Sequence, residues 1–205
     1  MTKPSEESYF YPIEMVTRYY EIAYQAFLRA DSSVTGRREY EKEVSKRGGK
    51  WTEEDLEFLQ VKQLTHQAEE RASIVAVIFS ALSLEALINN YAVFAFSKRF
   101  LDNHLDRLEP YNKWLIVPRL VKRETIKTGG QTFQKLKELF SLRNKLVHFK
   151  SSQAAPEDSG PKKLISRKDA KHAIETVRKA VRELERLDRR AESRWLEVTE
   201  KAINE

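Results

Sequence analysis

The sequence predicts an all-α protein: one helical bundle of about five helices, closed by a long C-terminal helix. Three observations predict it. Glycine and proline number six each in 205 residues, and they leave long uninterrupted stretches at 13–35, 50–109, 131–155 and 162–205. Within these stretches apolar residues recur at helical rather than alternating spacing. Charged residues make up 33 % and apolar residues 40 % of the chain, a balance suited to amphipathic helices around one core and unlike that of a disordered chain or a multi-span membrane protein. The whole of 1–205 reads as a single domain.

Taken in order, residues 1–11 read as a flexible N-terminus. Pro12 suits a first helical turn and opens a helix that sets Ile13, Val16, Tyr20, Ala23, Tyr24 and Phe27 on one face. Residues 36–50, dense in charge and bounded by glycines, predict a charged loop or short helix. Thr52 and Asp55 then form a capping-box pattern. The helical pattern runs from there to about Phe100 without a breaker, long for one helix, which predicts a kink or break near Arg71-Ala72-Ser73. Residues 72–96 carry one charge, Glu85, and are long enough to cross a bilayer. Glu85, Asn89 and Asn90 lie near their middle, however, and an acid there costs about 2.5–3.5 kcal/mol on insertion. The stretch therefore predicts a central bundle helix, covered by neighbours or by a second subunit. With a polar N-terminus that lacks a secretory pattern, the expectation is a cytoplasmic protein with no membrane partner. Residues 151–165 predict a linker. Ser166 and Asp169 repeat the capping box, and the last helix follows with apolar residues every seven positions (Ala170, Val177, Leu184, Ala191, Val198). A companion row of Ile174, Val181, Trp195 and Ala202 is interrupted at Asp188.

Several function classes are excluded. The chain has no cysteine, which removes disulfide scaffolds, thiolate metal sites and thiol nucleophiles. Its glycine pairs, Gly48-Gly49 and Gly129-Gly130, belong to no phosphate-cradling motif, and neither GxSxG nor HExxH occurs. His66, His104, His148 and His172 are scattered, so no metal or cofactor is assigned. The net charge of +6 is unevenly spread: residues 1–50, 51–110, 111–150 and 151–205 carry +1, −5, +8 and +2. A forty-residue segment holding more than the whole net charge fits a partner rich in phosphate.

That segment contains Arg143-Asn144-Lys145-Leu146-Val147-His148. Its helix is expected to bury Leu136, Leu139, Phe140, Leu146 and Val147, with Arg143 near the middle of the apolar stripe. A guanidinium there is costly unless paired, and Glu85 is the natural partner. Asn144 and His148 share an adjoining face four residues apart. Arg143 and His148 diverge by about 140° around an ideal helix, so they would flank a groove rather than point together. Bare R-x4-H spacing also occurs at Arg99…His104 and Arg167…His172; what sets Arg143…His148 apart is Asn144 and the apolar helix around it.

The RNKLVH run resembles the signature of HEPN domains, helical bundles that include many dimeric, metal-independent endoribonucleases. Ser83 to Asn89 (SLEALIN) and Lys113 to Pro118 (KWLIVP) are similar to elements that precede the motif helix in that family, so the resemblance spans residues 70–150. It implies a homodimer that brings two such helices together across a cleft and cleaves single-stranded RNA through attack of the ribose 2′-OH on the neighbouring phosphorus. His148 would transfer a proton, Arg143 would stabilise phosphoryl charge, Asn144 would orient the phosphate or His148, and Glu85 would support Arg143. Lys145 and Lys150 would contact the nucleic acid. Relatives act as toxins or in phage defence, which implies an antitoxin or regulatory protein as a partner. One departure stands out. Toxins of this family that are silenced by AMP transfer carry a Tyr two residues past the motif His, where this chain has Lys150. The alternative reading is a non-catalytic dimeric module that binds RNA or protein.

Overall fold

A 43-residue helix, α2 (Glu53–Ala95), forms the axis of the protein, about 65 Å long at 1.5 Å per residue. The computed structural model describes residues 14–46, 53–148 and 165–205, with the side chains of Tyr40 and of residues 53–62 left out. Among the described residues all regular structure is helical. Preceding α2 is α1 (Glu14–Lys46). A short turn of helix, α3 (Lys98–Phe100), continues into a π-helical turn at Leu101–Leu105. There follow α4 (Pro110–Lys122), α5 (Gln131–Val147), α6 (Arg167–Leu187) and α7 (Arg194–Asn204).

The α1 and α2 helices pair antiparallel. Small side chains meet at their seam: Ala23, Ala26 and Ala30 from one, Ala76, Ser80 and Ser83 from the other, all buried. Ser83 Oγ donates to the Val16 carbonyl at 2.9 Å, tying an α2 side chain to the α1 backbone. One sequence expectation fails here. No break occurs at Arg71–Ser73; Ser73 is fully buried, and α2 passes through it because no residue there blocks the helical hydrogen bonds. Of the two alternatives for the charged segment, loop or short helix, its described part is helical as far as Lys46, as a continuation of α1 through Gly36 rather than as a separate short helix. Arg37 donates to Glu69 at 3.1 Å and contacts His66 Nδ1 at 3.0 Å, and Val44 is buried. Cross-helix pairing thus turns charged residues into helix-packing groups. Residues 47–50, the Thr52 cap, residues 1–13 and the 149–164 part of the linker lie outside the described residues.

On the other side of α2, α6 runs parallel to it. Its start is fixed twice. The Asp169 carboxylate accepts from the Ser166 backbone N–H at 2.9 Å, as the capping pattern predicts. Glu69, 2 % exposed, accepts from the Arg167 N–H at 3.1 Å, bringing an acid from α2 to the positive end of α6. Within α6 the heptad face packs as expected, with Ala170, Ile174, Val177, Val181 and Leu184 buried, whereas Val198, further along the same row, is 59 % exposed.

The predicted single C-terminal helix is divided in two by Asp188. This residue is 1 % exposed and leaves helical geometry at φ −140°, ψ 103°. Its carboxylate accepts from the Tyr91 hydroxyl at 2.7 Å and from Arg190 Nη2 at 2.7 Å. The Arg190 backbone N–H also donates to it, at 3.1 Å. An acid on an apolar row cannot face the core unpaired; the chain turns so that Arg190 can fold back over it. The shorter helix α7 then docks on α1 through Glu200, which pairs with Arg178 at 2.7 and 2.8 Å and accepts from the Tyr20 hydroxyl.

Burial opposes ionisation of Asp188, but hydrogen bonds from Arg190 and Tyr91 outweigh it and hold the carboxyl well below its ordinary 3.8. A carboxyl depressed on folding adds stability above its unfolded pKa, and that stability is lost as pH falls through the folded value. Asp188→Ala should therefore cost about 3 kcal/mol at pH 7, the scale for breaking a buried pair. Urea titrations at pH 7 and pH 3 check this, with the wild-type advantage over Asp188→Asn shrinking at the lower pH.

Candidate functional site

The C-terminal half of α2 carries one charged residue, Glu85, and two amides, Asn89 and Asn90, and two of these three meet cations from the helices packed against them. Glu85 Oε2 accepts from Arg143 Nη2 of α5 at 2.8 Å. One turn further on, Asn89 Oδ1 accepts from Lys113 Nζ of α4 at 3.0 Å. Lys113 is 2 % exposed, so its stem is packed into the bundle while its ammonium group is spent on α2. These two contacts fix the register of α4 and α5 on α2.

The approach to α5 is a tight turn. Gly130 precedes the helix, and a Cβ there would lie 2.9 Å from the Lys127 carbonyl oxygen, too close for a side chain. The helix then buries Phe133, Leu136, Leu139 and Phe140, with Leu146 packed partly against the core. Val147 departs from the expected pattern at 54 % exposure, because the helix ends there and turns outward. His148 follows as the C-cap, its backbone N–H donating to the Asn144 carbonyl at 2.9 Å.

Arg143 sits on the core-facing side, as its place in the apolar stripe predicts, with 19 % of its side chain exposed. Its guanidinium lies 5.8 Å from the Phe140 ring centroid. Among the described residues Glu85 is its only hydrogen-bond partner, and its Nε is buried without one. The guanidinium is held in place with donors still unspent.

Asn144 and His148 lie on a different face and line a groove of about 540 Å³. Lys137, Phe140, Ser141 and Lys145 complete its α5 wall, and Glu109 and Tyr111 at the start of α4 form the other. Arg143 is not among the lining residues, so the expected divergence between Arg143 and His148 holds: one is anchored at the α2 seam, the other is exposed in the groove. Lys150 lies outside the described residues. Most of the groove had a signal in the sequence, since Lys137, Ser141, Asn144, Lys145 and His148 follow one another by four, three, one and three residues, a polar helical stripe. Tyr111 had none, because only the α4–α5 packing brings it there.

The groove's polar side chains are unoccupied. Lys137, Ser141, Asn144, Lys145 and His148 make no side-chain hydrogen bond or ion pair among the described residues. Elsewhere cations are commonly engaged, as with Arg37–Glu69, Arg167–Asp31 and Arg178–Glu200. Of the remaining histidines, His66 contacts Arg37, His104 lies against Phe100 with the rings tilted and their centroids 4.9 Å apart, and His172 lines a separate cavity between α5 and α6. Among the described residues no group of three His, Asp or Glu side chains is placed to hold a metal ion.

No protein-family model matches the chain, and comparison with curated proteins and with solved structures finds no match.

If Glu85 anchors Arg143, the two are energetically coupled. In a double-mutant cycle of Glu85→Ala, Arg143→Ala and the pair, read by urea denaturation, a coupling of about 1–2 kcal/mol is expected, the range for side chains in direct contact.

Proposed function

We propose that this chain is a HEPN-type endoribonuclease that acts without a metal ion and as a homodimer. The observation that carries this reading is the arrangement of the RNKLVH helix. Asn144 and His148 sit in an open groove with Lys137 and Lys145, which have no ion-pair partner among the described residues, and Glu85 holds Arg143 on the opposite, core-facing side of the same helix. In this mechanism the ribose 2′-OH attacks the adjacent phosphorus and the 5′-oxygen leaves. The products are a 2′,3′-cyclic phosphate and a 5′-hydroxyl. His148 transfers the proton, while Arg143 stabilises charge on the phosphoryl oxygens, for which its planar donors are suited. Asn144 orients the phosphate. Lys145 and Lys150 neutralise backbone charge, which makes activity fall with salt. Because Arg143 faces away from the groove of its own chain, a second subunit brings the two motif helices together.

The dimer surface proposed is the outer stripe of α2. The C-terminal half of that helix is apolar on most sides, yet only half of its most apolar window is buried within the chain. Val75, Ile78, Leu82, Ala86 and Val93 line a partly exposed stripe at helical spacing. A partner copy would cover it. Its length and composition also satisfy a membrane span, but the Glu85–Arg143 pair ties this helix into the bundle, which favours a cytoplasmic protein. A role as a toxin or phage-defence effector, restrained by an antitoxin or regulatory protein, fits this activity.

A second reading is favoured by one observation. Arg143 is already paired with Glu85 and does not line the groove, as in a non-catalytic module whose arginine fixes helix register. Cleavage decides between them. On a mixed-sequence, end-labelled RNA in EDTA, the wild type should yield fragments ending in 2′,3′-cyclic phosphate. His148→Ala should lose about 10²-fold or more, the usual weight of general acid–base catalysis, and Arg143→Ala should lose activity comparably. Equal inertness of folded wild type and variants would favour the module. For the dimer, Leu82→Arg should convert the protein to a monomer in sedimentation velocity while leaving its helix content unchanged.

A further inference from the structure

Lysines and a histidine account for only part of the α4–α5 groove; its remaining wall is aromatic. Tyr111, the second residue of α4, lines the groove and meets Phe133 edge to face, with centroids 6.1 Å apart and planes at 68°. Phe133 is buried, so it supports the tyrosine from the core side. Pro110 at the first helical position fixes the backbone beneath it. Tyr111 is half-exposed, and its hydroxyl has no partner among the described residues. A supported ring with no internal role for its hydroxyl, set opposite Lys137 and Lys145, combines a stacking platform with cations placed for phosphates. This pairing of π-face and positive charge is how proteins hold unpaired bases.

We propose that Tyr111 is the base-stacking residue of the groove, the side chain through which it takes hold of a single strand. One unstacked base lies on Tyr111, and Lys137 and Lys145 contact phosphates flanking it. The groove, at about 540 Å³, falls within the size range of small-ligand sites. It admits a nucleotide turned out of a strand, whereas a base held in a duplex has no free face to offer. Glu109, at the mouth of the groove, adds an acceptor for the amino edge of a base. The inference rests on the RNA-directed reading given above but does not require cleavage, so the two can fail separately.

The test uses a fluorescein-labelled, 2′-O-methyl 12-mer of mixed sequence, which cannot undergo 2′-OH attack, and the same strand in a duplex. The full-length wild type should bind the single strand at least ten-fold more tightly than the duplex. Tyr111→Leu, which keeps an apolar contact with Phe133, should weaken single-strand binding about ten-fold or more, whereas Tyr111→Phe should stay within two-fold of wild type. Lys145→Glu, at an exposed position, should weaken binding and lower its salt dependence. Tight single-strand binding that is unchanged in a folded Tyr111→Leu protein would overturn the stacking role and leave the ribonuclease reading standing. Equal affinity for strand and duplex would likewise overturn the stacking role. Tyr111-dependent binding by a protein that cleaves no RNA would uphold this inference and sink the nuclease.

Discussion

The structure depends on the covering of α2. The C-terminal half of this 43-residue helix has apolar side chains around most of its circumference and cannot stand in water, and the long helices of the protein are laid against α2. Its polar residues act as docking points: Glu69 receives the start of α6, Glu85 receives Arg143, Asn89 receives Lys113 and Tyr91 receives Asp188. Each is a group that would be expensive to bury alone. Burial supplies the drive and these pairings supply the register, so helices that could otherwise slide along an apolar rod are held at fixed heights.

That register is what creates the site. With Arg143 turned toward α2, the other faces of α5 follow from helical geometry, and Asn144, Lys145 and His148 are directed to the outside. The anchoring of α4 through Lys113 brings Tyr111 alongside them. The polar groove is therefore a consequence of how the core is paired, and a change at Glu85 or Asn89 would be felt in the groove without touching it.

Much of this was legible in the sequence, for physical reasons that differ by element. The heptad rows of the last helix and the Ser166–Asp169 cap were readable because they are local patterns with a fixed period. The pairing of Arg143 with Glu85 was readable because a guanidinium on an apolar stripe needs a partner, and Glu85 is the one acid in the C-terminal half of α2. The break at Asp188 was visible only as an interruption of a row; that the chain would turn there depended on Tyr91 and Arg190, which no periodicity reveals. The charged run after Gly36 left loop and short helix open for a related reason. Its charge density suits either until Glu69 and His66 of a neighbouring helix are placed opposite Arg37. Likewise the long breaker-free stretch suggested a kink at Arg71–Ser73, and the continuous seam with α1 removes the need for one. Tyr111 carried no signal, since its role is defined wholly by which helix lies beside it.

The central claim is that core pairing presents the α4–α5 groove as the surface that meets RNA. The most direct measurement is a 1H–15N correlation spectrum of the protein titrated with a non-cleavable single-stranded oligoribonucleotide. The account predicts that amide shifts concentrate at the start of α4, near Tyr111, and over the last two turns of α5, from Ser141 to His148. Shifts concentrated instead on the α6–α7 face, or no shifts at saturating oligonucleotide, would contradict it.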